Sequence, residues 1–351
     1  MKRVFILLAL VLLLTPVWAG VFYRVDGVVT VHPEAVTLST EDGRLFRLDL
    51  AGDAARTWDG KLVRVEGYVA QADELENLAV KSIKALPAPT GQAAPAPAFH
   101  IRQRQPHLKA ERDGKFTIGN ARWGFTVKDN QVTAYNWVDA TIDPAKVDQV
   151  YFVKKPFKPE WLAAHACMLF TFKPGGFVNA AGQESRGLLL SIEAHLTTDQ
   201  KYDLFAGLKA TFGSIWLLVA WEDYAAEACD PVTRGLGKMF LYPFTLSAAQ
   251  KQELLRVAVR QAVIVRRGEF YHTTRNNCTN NLLVLVNHVI PKKIKLWTIP
   301  SLIYNVRATM PRLVPSYLQK KGLLGKELPE INETNYFVDI DQLARGPAGS
   351  R

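Results

Sequence analysis

Only three cysteines, Cys167, Cys229 and Cys278, occur in 351 residues. That is too few for a disulfide-built scaffold, and an odd number leaves one thiol over. A Cys167–Cys229 bridge is open by count, yet Cys167 sits in "ACMLFTF", where a thiol can be ordinary core. The sequence also lacks a serine elbow, an "HExxH" pair and zinc-finger spacing. "HAC" at 165–167 offers two soft ligands with nothing nearby to complete a tetrahedral set, and "GLGKM" at 235–239 lacks the frame of a phosphate loop. Serine-hydrolase, metal and nucleotide chemistry are therefore disfavoured, and no cofactor is implied. No internal repeat is present. Beyond the N-terminus no run reaches transmembrane length, and "SIWLLVAW" at 214–221 reads as a buried strand.

The N-terminus supplies an address. Lys2 and Arg3 precede the short apolar run "VFILLALVLLL", and Val17 and Ala19 stand where a signal peptidase reads. This predicts a signal peptide over 1–19, cleaved after Ala19, with an uncleaved anchor as the alternative. No cysteine follows the run, so a lipid anchor is not expected. The reading is a periplasmic protein, soluble or membrane-peripheral. Losing Lys2 and Arg3 takes the formal charge from +10 to +8. Such a surplus suits anionic lipid, murein or another acidic surface, or is simply a basic solvated surface. Nucleic acid is not an expected partner outside the cytoplasm.

A Pro/Ala stretch, "LPAPTGQAAPAPA", marks a linker over 87–99 between two domains. Residues 20–86 alternate through five short segments, "RVDGVVTVH", "AVTLSTED", "RLFRLDL", "KLVRVEGYV" and "LAVKSIKAL", separated by turn signals. They predict a small all-β barrel resembling the oligonucleotide/oligosaccharide-binding fold. Phe22, Tyr23, Phe46, Trp58 and Tyr68 are too scattered to form a base-stacking platform. Residues 100–325 read as an α+β domain. A hairpin falls at 116–137, and "AHACMLFTF" and "RGLLLSIEAHL" are strands. A helix is expected over 197–212 behind a Thr197/Gln200 capping box, with strand again through "SIWLLVAWED". A second helix starts at the Ser247/Gln250 capping box with Leu254, Ala258 and Ala262 on one face. The basic, apolar stretch from 291 to 326 suits a membrane interface, an acyl-chain groove or a segment wrapping the core. The tail, 326–351, has mixed charge and is expected to fray at its end.

The chemistry gathers at "YHTTRNNCTNNLLVLVNHVI", 271–290. Polar residues precede Cys278, and Leu282, Leu285, Val286 and Val289 recur after it at helical spacing. A thiol at a helix N-terminus meets unpaired N–H groups and a partial positive charge, which favour the thiolate and can hold an oxyanion. The plain alternative is a structural cysteine. A nucleophile needs a base and a group that orients it. Among seven histidines, His165 and His195 fall on strands. His165 opens an apolar strand, although a strand-end imidazole bonded to backbone would look the same. With period two, Ser191, Glu193 and His195 share a face. Either Glu193 or His195 could orient His165, and Glu193 could instead face solvent.

In order along the chain, "HACMLFTF", "LLLSIEAHL", "LYPFTLSAAQKQELL" and "YHTTRNNCTNNLL" resemble a bacterial domain-of-unknown-function family with one histidine and an Asn-Cys-Thr motif. That family also forms the N-terminal periplasmic domain of a lipoprotein N-acyltransferase. The resemblance spans roughly 105–320 and places its histidine at His165 and its motif at Asn277, Cys278 and Thr279. Glu193 fits its "S-(I/V)-E-A" strand. Histidine before cysteine also resembles permuted papain-like enzymes related to NlpC-type peptidases and lecithin–retinol acyltransferase. The resemblance implies a thioester mechanism with Cys278, His165 and Glu193 catalytic and Asn277 and Thr279 at the oxyanion or substrate. Acyltransferase members carry transmembrane helices after this domain, and none is expected here. The functional expectation is a periplasmic cysteine acyltransferase or hydrolase acting on lipid or lipoprotein acyl groups. A murein peptidase or amidase, or a non-catalytic envelope binding or assembly protein, are the alternatives. Membrane lipid, lipoprotein or murein are the expected partners, and an inner-membrane protein is a further candidate.

Overall fold

The structure is a computed structural model describing residues 20–69, 77–87, 97–157, 160, 163–233, 237–298 and 303–345. The expected signal peptide and most of the Pro/Ala linker lie outside these residues. The chain divides into two compact units, 1–88 with 297–304, and 89–296 with 305–351.

The first unit holds a five-stranded closed barrel. Its strands are β1 (Val21–Val31), β2 (Val36–Thr40), β3 (Leu45–Leu48), β4 (Leu62–Val69) and β5 (Asn77–Ala85), ordered β1-β2-β3-β5-β4. A short helix, α1 (Gly52–Arg56), lies between β3 and β4. Strict alternation turns Tyr23, Val25, Val29, Leu38, Phe46, Val63 and Val65 inward, so period two alone fills the barrel. At Gly27 a Cβ would collide with the Ser39 carbonyl, so the close approach of β1 to β2 requires glycine there.

The second unit is built on a ten-stranded mixed sheet. Its strands are β6 (His107–Arg112), β7 (Lys115–Lys128), β8 (Gln131–Ile142), β9 (Val147–Pro156), β10 (Ala164–Phe172), β11 (Phe177–Asn179), β12 (Gly187–His195), β13 (Phe212–Ala220), β14 (Phe240–Pro243) and β15 (Phe270–Tyr271). The main order is β11-β8-β7-β13-β12-β10-β9-β14, with β6 beside β7 and β15 beside β13. Its helices begin with α2 (Leu204–Leu208), α3 (Trp221–Cys229), α4 (Ala248–Ala262) and α5 (Cys278–Val289). They continue with α6 (Val306–Thr309), α7 (Val314–Lys320) and α8 (Ile340–Arg345). Both faces of the sheet are covered. Ala166, Met168, Leu190, Ile192 and Trp216 pack against α4, α5 and α7. Cys167, Leu169, Leu189 and Leu217 pack against α3 and the chain from Ile331 to Ile340. Two covered faces explain why β12 and β13 read as nearly unbroken apolar runs.

Several elements differ from expectation. The helix expected from 197 shrinks to α2, capped by Asp203, whose carboxylate accepts from Phe205 and Ala206 N–H. Residues 196–198 are instead held extended, because Leu196 O accepts from His100 N and Thr198 N donates to Ala98 O. Long-range backbone pairing there outweighs a local capping pattern. The strand expected through Asp223 ends at Ala220, where α3 begins with Glu222 and Asp223 in its first turn. Residues 326–345 pack, with Ile331 pairing Met239 and Ile340 buried. Apart from 297–304, which belong to the first unit, the basic, apolar stretch after 291 packs on the core through Ile294, Ala308, Val314, Leu318 and Leu324. No described helix is long and apolar enough to cross a membrane.

Candidate active site

Asn277 fixes where α5 begins. Its Oδ1 accepts from Asn280 N at 2.8 Å, and its amide donates to Thr273 O at 2.6 Å and Thr309 O at 3.4 Å. The cap serves the third helical N–H and leaves the first, that of Cys278, for another partner. The approach to the helix is rigid. Asn276 donates to Glu269 at 2.8 Å, Asn281 donates back to Asn276 at 2.7 Å, and Glu269 pairs with buried Arg266 at 2.9 Å. His272 shapes this turn by accepting from Thr274 N and Arg275 N. The buried asparagines before Cys278 therefore build the turn that aims it.

Cys278 is 3 % exposed. Its sulfur accepts from Ala166 N at 3.5 Å and lies 3.9 Å from Thr279 Oγ1, and its own N–H donates to the Tyr271 hydroxyl at 3.4 Å. Thr279 is fully buried. Ala166 belongs to β10 and follows His165. The β10–β12 pairing ends at Cys167↔Ser191, so His165 lies two residues beyond the last residue paired with β12. Period two puts His165 on the sheet face of Cys167, while Cys278 belongs to the opposite core. The thiol and imidazole thus meet at the end of β10 from opposite faces.

Burial opposes charge on both groups, yet each overcomes it. The sulfurs of Cys167 and Cys278 raise the His165 pKa well above 6.5. The Cys278 thiol falls below its ordinary 9.0 through the charge and hydrogen bonding of His165, then Ala166 N–H and Tyr271. Both shifts run toward thiolate and imidazolium. Burial pushes the Tyr271 phenol upward, as does the Cys278 charge, so it stays protonated.

His165 Nε2 lies 2.8 Å from Ser191 Oγ, which donates to Glu193 Oε1 at 2.8 Å. Ser191 has one proton and spends it on Glu193, so the serine oxygen accepts the Nε2–H and Nδ1 is the nitrogen left for Cys278. Glu193 accepts from Arg102 at 3.1 Å and Gln103 at 3.0 Å. Burial would raise its pKa, but Arg102, His165, Gln103 and Ser191 hold it down to about 2. Arg102 also pairs with Glu227 at 3.3 Å, and Glu227 accepts from Arg122 and the Tyr135 hydroxyl at 2.6 Å each. Fully buried Arg122 holds Asp223 at 2.9 Å.

The alternative His195 is placed elsewhere. It stacks on Phe99 at 3.7 Å, and burial lowers its pKa to about 4. Sequence reasoning put Ser191 on the right face without giving it the position between His165 and Glu193. It missed Tyr271, seven residues before Cys278, and Arg102 and Gln103, whose only signal was polarity in "IRQRQPH". All three cysteines are free and buried. Cys167 contacts the Tyr224 hydroxyl at 3.4 Å, and Cys229 points at Ile331 O. Among the described residues no cluster of His, Cys, Asp and Glu is arranged to hold a metal ion. A cleft of about 310 Å³ opens between Arg102, Gln103 and Tyr202, the last packed 5.9 Å from Tyr271.

This domain is of a kind found in periplasmic, envelope-associated proteins. Residues 133–310, which carry His165, Ser191, Glu193, Tyr271 and Cys278, match the Lnb N-terminal periplasmic domain. The match covers just over half of the chain, and the chain belongs to that family. Residues 26–86 match a family described as a protein of unknown function (DUF5818). No curated protein and no solved structure matches the chain.

Proposed function

We propose that this chain is a periplasmic cysteine enzyme, exported by residues 1–19, that transfers or hydrolyses an acyl group through a thioester on Cys278. The observation that carries the reading is the place of Cys278 at the start of α5, its sulfur against the Ala166 N–H next to His165, with the imidazole held from behind by Ser191 and Glu193. The histidine-strand, cysteine-helix order is that of permuted papain-like enzymes, which adds support.

The thiolate attacks the carbonyl of an ester or amide, forming the S–C bond and a tetrahedral oxyanion. The Cys278 N–H and the Tyr271 hydroxyl, now bonded to each other, face that oxygen in place of one another. Collapse breaks the carbonyl–heteroatom bond, and the His165 imidazolium gives its Nδ1 proton to the leaving oxygen or nitrogen. Neutral His165 then removes a proton from water or an acceptor amine, which attacks the thioester and frees Cys278. Asn277 shapes the turn, and Thr279 packs beside the sulfur. Lipid or lipoprotein acyl groups are the proposed donors, in keeping with the family. Membrane lipid, lipoprotein or murein, and an inner-membrane protein, are the proposed partners.

The test is intact-mass analysis after treatment with an activated acyl ester. Wild type gains one acyl mass, Cys278→Ala gains none, and His165→Gln acylates about a hundredfold more slowly. Equal acylation of wild type and Cys278→Ala overturns the proposal. Release of muropeptides from sacculi, abolished by Cys278→Ala, redirects the substrate from acyl lipid to murein.

A further inference from the structure

We propose that a groove along β8, outside the cysteine site, binds a saccharide, and that an acidic oligosaccharide fits it best. Strand β11 pairs only with Ala140–Ile142, so the preceding part of β8 lies beyond its end. Opposite, β7 carries a bulge. Pairing passes from Arg122↔Trp137 to Phe125↔Tyr135, which sets Trp123 and Gly124 against Asn136 alone. Gly124 has φ +136°, a conformation that suits glycine, and the bulge turns the Trp123 indole out of the regular alternation. The resulting groove has a volume of about 560 Å³, within the roughly 300–1,000 Å³ usual for small-ligand sites.

Its walls combine two chemistries. Trp123, Tyr135 and Trp137 supply half-buried aromatic faces. Each is braced: Trp123 packs on Phe177 at 4.7 Å, Tyr135 donates to Glu227 and lies over Arg122 at 4.8 Å, and Trp137 carries Arg104 at 5.2 Å. At the rim stand the exposed amides of Asn136 and Gln183. Gln183 Oε1 accepts from Asn179 at 2.8 Å, which leaves its NH₂ group to donate elsewhere.

A pyranose ring has the complementary halves. Its axial C–H groups form an apolar face that lies on an aromatic ring, and its equatorial hydroxyls meet amides at the edge. Arg104 is the one charged residue lining the groove, so a carboxylated sugar is complementary and a cationic one is not. A peptide adding as a strand would need open pockets at alternate residues. Here those places are filled by Tyr135, held by Glu227 and Arg122, and Trp137, under Arg104, with Trp123 braced on Phe177 opposite.

The test is calorimetric titration of the mature chain with two probes. One is a neutral N-acetylglucosamine hexamer, and the other is a β-linked N-acetylhexosamine tetrasaccharide carrying lactyl carboxylates. Both bind saturably, the carboxylated one more tightly and with a dependence on salt. Trp137→Ala weakens both by at least about tenfold. Arg104→Ala and Gln183→Ala alter exposed residues that do not threaten folding, and Arg104→Ala removes the preference for the acidic sugar. Cys278→Ala binds like wild type, so loss of the proposed catalysis leaves this result untouched. Absence of saturable binding, binding unchanged by all three groove variants, or equal binding of an unglycosylated β-strand peptide overturns the proposal.

Discussion

Replacing Glu193 with glutamine keeps the side chain's shape and removes its charge. Glu193 is 8 % exposed and has Arg102, Gln103 and Ser191 as hydrogen-bond donors. Its pKa falls from an ordinary 4.5 to about 2 in the fold. At about 1.4 kcal/mol per pH unit, the ionised carboxylate stabilises the fold by about 3 kcal/mol at neutral pH. Because the folded value is depressed, this stability is fully present above pH 4.5 and is lost as pH falls through 2. Urea unfolding of wild type and Glu193→Gln, with Cys278 blocked against oxidation, gives the difference directly. The gap should be about 3 kcal/mol larger at pH 7 than at pH 2, and the thermal midpoint of the variant at pH 7 roughly 6–12 °C lower. The same substitution weakens support for the imidazolium, so the pH midpoint for Cys278 alkylation rises. Parallel stability curves between pH 5 and 2 would refute the claim that Glu193 is a buried, charge-paired carboxylate.

Iodoacetamide alkylation of Cys278 should show a pH midpoint below 9, and His165→Gln should move it upward, because burial of the thiol is then unopposed by the imidazolium. Arg122→Met leaves Asp223 and Glu227 facing each other without their shared cation, and should cost about 3–5 kcal/mol in urea unfolding at pH 8. Burial and Glu227 together outweigh Arg122 and push Asp223 up to about 6, so the penalty of ionising it grows as pH rises, and the Arg122→Met deficit should shrink between pH 8 and 5. Asn277→Ala removes the α5 cap and two ties to carbonyls, and should lower stability by about 1–2 kcal/mol while slowing alkylation as the helix end loses its aim.

What the sequence revealed depended on the range of the interaction. The barrel was legible because its register is written in strict alternation from Val21 to Val29. The α4 start was legible because Ser247 and Gln250 form a true capping box, and the α5 start because Asn277 caps the residue three beyond it. The same local logic failed at Thr197 and Gln200. The Gln200 side chain closes a turn by accepting from Thr197 N, but the backbone is already engaged with the segment before residue 101. Period two put Ser191 and Glu193 on one face, yet it could not say which of them reaches His165. That depends on where β10 and β12 stop pairing. Arg102 and Gln103 reach Glu193 across about ninety residues, and no local pattern marks such a contact.

The polar network behind His165 favours positive charge on the imidazole despite its burial. Around His165 and Cys278, Arg102 and Arg122 stay cationic and Glu193 and Glu227 anionic through their mutual pairing. Moving the proton from His165 back to Cys278 leaves the carboxylate side with one cation fewer. Glu193 would then face a neutral imidazole through Ser191, with only Arg102 to balance it. Compared with apolar residues of the same shape, buried charges of this kind add little net stability, since desolvation consumes most of their attraction. Their effect is positional. Residues 102–103, β7, α3 and β12 each contribute one end of a hydrogen-bonded ion pair, so the network closes only when all four are docked. The imidazole is thereby oriented by folding itself, through Ser191 and Glu193.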